Sequence, residues 1–81
     1  MTMNNENLFT TTDFNTIVVL CYFNHKIETI DKENSKKVRF YFKKSKNLEI
    51  ILSKFWKKEL LVEPIAFFSL IKEIKSRIYE N

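Results

Sequence analysis

Apolar residues recur along this chain with two different periods. Phe14, Ile17, Val18, Cys21 and Tyr22 stand at i, i+3, i+4, i+7 and i+8, one face of a helix. Thr10, Thr11 and Thr12 precede that stripe as N-cap candidates, and Asp13 puts a negative charge in the first turn. Residues 17–23 are also rich in β-formers, so a buried strand competes for the same segment. The threonines and the two-turn spacing favour a helix over residues 13–23. Asn24 suits the left-handed position after its end, in a chain that contains no Gly.

The period then changes to two. Residues 27–31 read as a short strand, residues 32–35 as a turn with Asn34 and Ser35 as turn formers, and residues 37–43 as a second strand. Val38, Phe40 and Phe42 fall on one face, and Arg39, Tyr41 and Lys43 on the other. A two-stranded sheet is marginal in water, so the phenylalanine face is expected to pack on helices.

Helical spacing returns with Leu48, Ile51, Leu52, Phe55 and Trp56, behind Ser45 as N-cap. Trp56 completes this stripe and so reads as core. Residues 60–62 form an apolar bridge, Glu63 is biased away from helix by the proline that follows it, and Pro64 suits the first position of a third helix. Phe67, Leu70, Ile71, Ile74 and Ile78 make the buried stripe of that helix, with Phe68 on its flank and Lys72, Glu73, Lys75 and Arg77 toward water.

The order is therefore α-β-β-α-α. The reading is one small α+β domain over residues 9–81, a β-hairpin packed against three helices, preceded by a flexible polar tail at residues 1–8. A length of 81 residues with 44% apolar content, eight Phe, three Tyr and one Trp supplies one real core. No segment approaches the roughly 20 apolar residues of a membrane span. The first seven residues hold an acid and no Lys or Arg, unlike the basic start of a secretory signal. A single cysteine excludes an internal disulfide and fits a reducing cytoplasm.

Charge changes this picture. Residues 36–58 carry nine Lys or Arg against Glu49 alone, a net +8 in a chain whose total is +4. Such a window points to an anionic partner. Twelve Lys, nine Ile and eight Asn without a Gly are also what an AT-rich genome writes at tolerant positions, so part of the lysine content has a compositional origin. The clustering is harder to explain that way.

The expected function is accordingly a non-enzymatic, cytoplasmic, nucleic-acid-binding accessory protein. Lys43, Lys44, Lys54, Lys57 and Lys58 would contact phosphate, and Arg39 and Tyr41 would lie next to bases. Lysine clusters bind through phosphate contact and counterion release, without sequence readout. Only two arginines argue against dedicated base recognition. The bland counterpart for Arg39, Tyr41 and Lys43 is an ordinary solvated sheet face. Trp56, flanked by Lys57 and Lys58, has a stacking platform as its alternative to the core. Lys72, Lys75 and Arg77 form a smaller basic edge, continuous with the first only if it adjoins Lys54, Lys57 and Lys58.

The rival is a homodimerising or protein-interaction module. Val19, Leu20 and Phe23 extend apolar character around the first helix, and a helix apolar nearly all round must be covered on most sides. These three residues would form the partner interface.

Catalytic and cofactor chemistry find no constellation. The single His25 follows a helix end, where a structural or solvated role is common, and Cys21 reads as a small buried hydrophobe. One His and one Cys are too few for a metal site. Without Gly there is no glycine-rich phosphate loop. Glu59 and Glu63 are spaced like paired acids, but Pro64 interrupts any shared helix, and they read as solvated.

Thr11-x-Asp13-Phe14, Phe40-x-Phe42-x-x-Ser45-x-x-Leu48-Glu49, Phe55-Trp56, Val62-x-Pro64-x-x-Phe67 and Lys72-x-x-Lys75-Ser76-Arg77-Ile78-Tyr79 occur in that order. Together they resemble a family of short proteins of bacteria and their mobile elements, known only as a domain of unknown function. The resemblance covers about residues 9–79 and supports the helix at 13–23. Asn24 stands where that family usually has Gly, and Glu63 where it usually has Asp; both departures weaken capping chemistry. The resemblance implies no activity, substrate or cofactor.

Overall fold

The computed structural model of the protein describes residues 7–34 and 36–79. Six elements follow in order: β1 (Leu8–Thr11), α1 (Phe14–Tyr22), β2 (Ile27–Asp31), β3 (Arg39–Lys43), α2 (Lys46–Trp56) and α3 (Pro64–Tyr79). The α+β class and the three helices agree with the pattern of the sequence. The sheet has a third strand that the pattern did not reveal.

That strand is β1. It pairs antiparallel with β3, placing Phe9 opposite Phe42 and Thr11 opposite Phe40. β2 pairs with the other edge of β3, so the order is β1-β3-β2 and β3 is central. Leu8 therefore belongs to the sheet, the Asn7 carbonyl accepts from the Lys44 N–H, and residues 1–6 of the expected tail lie outside the described residues. Four residues are too few to show alternation, which is why the sequence hides this strand. Its presence also removes the difficulty of an isolated hairpin, because three strands with one covered face make an independently stable unit.

Thr10 and Thr11 sit in β1 and do not cap α1. Asp13 is the cap: its carboxylate accepts from the Thr16 N–H at 2.9 Å and from the Thr16 hydroxyl at 2.7 Å, and its own N–H donates to the Thr11 hydroxyl at 3.0 Å. Thr16 is the one buried polar residue among those described, and this bond satisfies it.

α1 ends in a Schellman motif built without glycine. Asn24 takes φ of 71°, its N–H donates to the Cys21 carbonyl, and the His25 N–H reaches the Leu20 carbonyl, both at 3.0 Å. α2 ends the same way, with Lys58 at φ of 61° and N–H bonds from Lys58 to Phe55 and from Glu59 to Lys54. Nothing in the sequence marks Lys58 for this role. A lysine there costs about 1 kcal/mol relative to glycine, from the clash of Cβ with the backbone.

All three helices cover the same face of the sheet. Phe40 and Phe42 of β3 are fully buried against Ile17, Val18 and Leu20 of α1, Leu48 of α2 and Ile74 of α3. α2 starts where α1 ends, with Asn47 Nδ2 3.3 Å from His25 Nε2, and finishes beside Asn15 and Thr16 at the start of α1. α3 likewise begins at the end of α1, where the Glu63 N–H donates to the Tyr22 hydroxyl at 2.8 Å, and finishes beside Phe14. Both run antiparallel to α1. The connector 57–63 must therefore double back along α1, a length of about 13 Å for nine residues, and its Leu60 packs half-buried on the core.

This arrangement corrects the expected partner interface. Val19 is 4% exposed and Leu20 0%, buried in the chain's own core, while Phe23 is half-buried with its ring edge-on to Tyr22. The all-round apolar character of α1 is used within the domain, by the sheet beneath it, a helix on each side and the returning connector. Trp56 is corrected in the opposite direction. The residue is 76% exposed, because the stripe of α2 closes at Phe55 and the helix ends at the next residue.

Ser45 caps α2 as its sequence suggests, accepting from the Leu48 N–H at 3.0 Å. Pro64 opens α3. Glu63 is not merely solvated: its carboxylate accepts from the Ala66 N–H at 2.7 Å and the Ile65 N–H at 3.1 Å, so this longer acid still does the capping.

Candidate nucleic-acid interface

β3 sorts its side chains by alternation. Phe40 and Phe42 enter the core, so Arg39, Tyr41 and Lys43 face the side of the sheet that no helix covers. The register places Thr10 on one side of Tyr41 and Thr29 on the other. Tyr41 thus stands at the middle of the central strand, partly exposed, with a small residue directly across the ladder on each side. Leu8 lies opposite Lys43 and Asp31 opposite Arg39. The acid dilutes the positive charge at the Arg39 end. A register shift between Ile27 and Thr29 displaces the exposed Glu28 from the ladder.

At the far end of β3, Lys43 and Lys44 share a cleft with Asn24, His25, Lys26 and the acid Glu28, which offsets part of the positive charge. The Lys44 N–H donates to the Asn7 carbonyl at 2.9 Å, fixing the backbone there. Lys26 adds a third cation. Its sequence neighbourhood is acidic, and only the sheet topology brings it to this cluster.

Lys54, Lys57 and Lys58 lie elsewhere. They are exposed at the C-terminal end of α2, in the helix layer, on the opposite side of the sheet from Tyr41. Beside them Trp56 forms the lip of a cleft of about 540 Å³ floored by Phe9, Leu52 and Phe55. The continuous basic window of the sequence is therefore divided in space: Lys43 and Lys44 lie by the open sheet face with Tyr41; Lys54, Lys57 and Lys58 lie in the helix layer with Trp56; and Lys36 and Lys37 stand apart in the β2–β3 loop. The basic edge of α3 joins neither of the first two at Lys75. Lys75 meets Lys36 and Lys37 of the β2–β3 loop, and its ammonium stands 5.9 Å from the centre of the Phe14 ring.

Cys21 offers no nucleophile. Burial pushes its thiol up to about 11; the Arg77 guanidinium pulls the other way, and Glu73 adds to the rise. The thiolate is scarce at neutral pH, and a thiol is a poor attacking group. Among the described residues the His25 ring has Asn47 as its hydrogen-bond partner. No group of three or more His, Cys, Asp or Glu side chains suitable for a metal ion occurs among the described residues. No helix among them is long and apolar enough to cross a membrane.

One apolar surface stands apart from both basic ones. Leu61 is 90% exposed, and Val62, Ile65 and Phe68 are exposed with it where the connector enters α3. Its signal in the sequence is the run Leu60-Leu61-Val62 directly before a helix whose stripe begins only at Phe67.

A family model for a domain of unknown function, DUF5659, matches residues 6–80, and the chain belongs to that family. No curated protein and no solved structure matches the chain.

Proposed function

We propose that this DUF5659 protein is a non-enzymatic nucleic-acid-binding protein of the cytoplasm, and that it holds a single strand across the open face of its sheet. The observation that carries this reading is the uncovered face with Tyr41 at its centre, between Arg39 and Lys43 on the same strand. An accessible aromatic ring stacks a base, for about 1–3 kcal/mol per base. Lys43, Lys44 and Lys26 supply phosphate contacts at one end. Reading a duplex calls for a helix or ribbon that enters the major groove. A sheet face that presents an aromatic ring between two cations suits splayed bases better. Trp56 with Lys54, Lys57 and Lys58 makes a second, separate stacking surface of the same chemistry.

Fluorescence anisotropy with a labelled 12-nucleotide single strand tests the reading. Binding should weaken strongly between roughly 50 and 200 mM salt. Tyr41→Ala should reduce affinity about tenfold or more, the loss of one stacked base. Equal affinity for wild type and Tyr41→Ala would refute the sheet face as the binding surface.

A second reading, a protein-interaction or homodimerising module, is favoured by the exposed Leu61, Ile65 and Phe68. Its surface is this ridge and not α1. A mass that doubles with concentration in sedimentation, and returns to monomer with Phe68→Glu, would support it; a constant monomer mass would remove the dimer.

A further inference from the structure

The groove between the β2–β3 loop and the end of α3 is not used by either surface described above. It holds about 410 Å³, within the range of small-ligand sites. Its floor is apolar: Phe14 and Ile17 of α1, Val38 and Ile78. Its rim carries three ammonium groups, Lys36, Lys37 and Lys75, from two segments far apart in sequence, and among the described residues no carboxylate lines it. Tyr79, 81% exposed, adds an aromatic ring at the edge.

The walls are held in place. Asn34 fixes the loop by accepting the Lys36 N–H on its side chain at 2.9 Å and the Lys37 N–H on its carbonyl at 3.0 Å. Lys32 ties the same loop to α3 by donating to the Arg77 carbonyl at 2.7 Å. Contact with the Phe14 ring holds the Lys75 ammonium over the apolar floor. Three like charges around a low-dielectric floor repel one another, and an anion seated among them relieves that repulsion.

We infer that this groove seats one unstacked nucleotide of the strand held on the sheet face, its base on the apolar floor against Tyr79 and its phosphates among Lys36, Lys37 and Lys75. The inference rests on the nucleic-acid reading and extends it. Continuity favours a nucleotide over an acidic peptide. Lys37 stands in the turn before β3, two residues and so at most about 7 Å from Arg39, and Arg39, Tyr41 and Lys43 continue from there in one line of about 13 Å on the open face. A strand leaving the groove thus meets Arg39 and then the Tyr41 ring.

The test is anisotropy with the same labelled 12-nucleotide strand. Lys37→Glu/Lys75→Glu is compared with Lys46→Glu/Lys72→Glu, which changes the net charge equally at exposed lysines outside both surfaces. Ile78→Trp fills the groove without changing charge, with a thermal melt to verify its fold. The groove account expects the Lys37/Lys75 reversal to weaken binding at least tenfold more than its control, and a folded Ile78→Trp to weaken it severalfold. Equal losses from the two reversals would overturn the groove and leave the sheet face standing. Absence of binding by wild type at 50 mM salt would overturn the nucleic-acid reading and the groove with it. A labelled Glu-Glu-Phe-Glu peptide that fails to bind, or binds without regard to Lys37 and Lys75, would leave the groove to nucleotide; one that binds through them when no strand does would overturn the inference and assign the groove to an acidic protein partner.

Discussion

Phe40 and Tyr41 are neighbours on the same strand, with rings of the same size, and they do opposite things. Phe40 is fully buried beneath three helices, while Tyr41 lies on the bare side of the sheet between Thr10 and Thr29. The covered face spends its aromatic area on folding. The open face keeps its ring, an arginine and a lysine available to something outside the chain. One strand thus has a face that stabilises the fold and a face that does not, and substitutions on the two should separate in the same way.

The largest effect should come from the covered face. Phe40→Ala removes a fully buried ring at a cost of about 3–5 kcal/mol, against a total of roughly 4–12 kcal/mol for a chain of this length. Denaturant melts should find this variant barely folded, and should find Tyr41→Ala within about 1 kcal/mol of wild type. Comparable losses from both would mean that the open face is covered in solution. Leu20→Ala belongs with Phe40→Ala, at about 2–5 kcal/mol, and should not change the oligomeric mass of the fraction that remains folded.

Next is the cap of α1. Asp13→Ala should cost about 1–2 kcal/mol, since it exposes helix N–H groups and strands the buried Thr16 hydroxyl. Smaller, and of opposite sign, is Lys58→Gly, which should stabilise by about 1 kcal/mol by relieving the left-handed backbone at φ of 61°. That corresponds to a rise in Tm of about 4–8 °C. Asn24→Gly should gain less, because Asn tolerates this region better.

The smallest effect concerns Cys21. With its thiol pushed up to about 11, alkylation at neutral pH should be far slower than for an open thiol and should keep rising beyond pH 9. The unfolded chain loses this proton first, so the contribution to stability is whole below about pH 9 and declines as pH rises toward 11. A labelling rate that levels off below pH 9 would contradict the buried placement.

Much of the fold was legible where one face of an element is buried and long enough to show its period. α2 and α3, their start signals at Ser45 and Pro64, and the alternation of β3 follow from spacing alone. β1 escaped because four residues carry too little alternation, and its threonines resemble caps as much as strand. Lys58 escaped because left-handed geometry at a helix end has no signal without Gly or Asn. The candidate site was legible residue by residue but not as a surface. Charge density along the chain joined Lys43 to Lys57, whereas the turn from β3 into α2 carries them to opposite layers. The apolar excess of α1 looked like spare surface, yet it is consumed by the helices and connector that surround it, and the real excess lies at Leu61, Ile65 and Phe68. Sequence periodicity gives the width of an apolar stripe but not how many neighbours share it.

The most direct test of the open face as a nucleic-acid surface is an amide chemical-shift titration with an unlabelled 12-nucleotide single strand at low salt. The account predicts shifts concentrated in residues 8–11, 27–31 and 36–44, with those of residues 75–79 added by the groove, and the amides of residues 61–68 unmoved. Shifts confined to residues 61–68, or to the end of α2, or none at all, would contradict it.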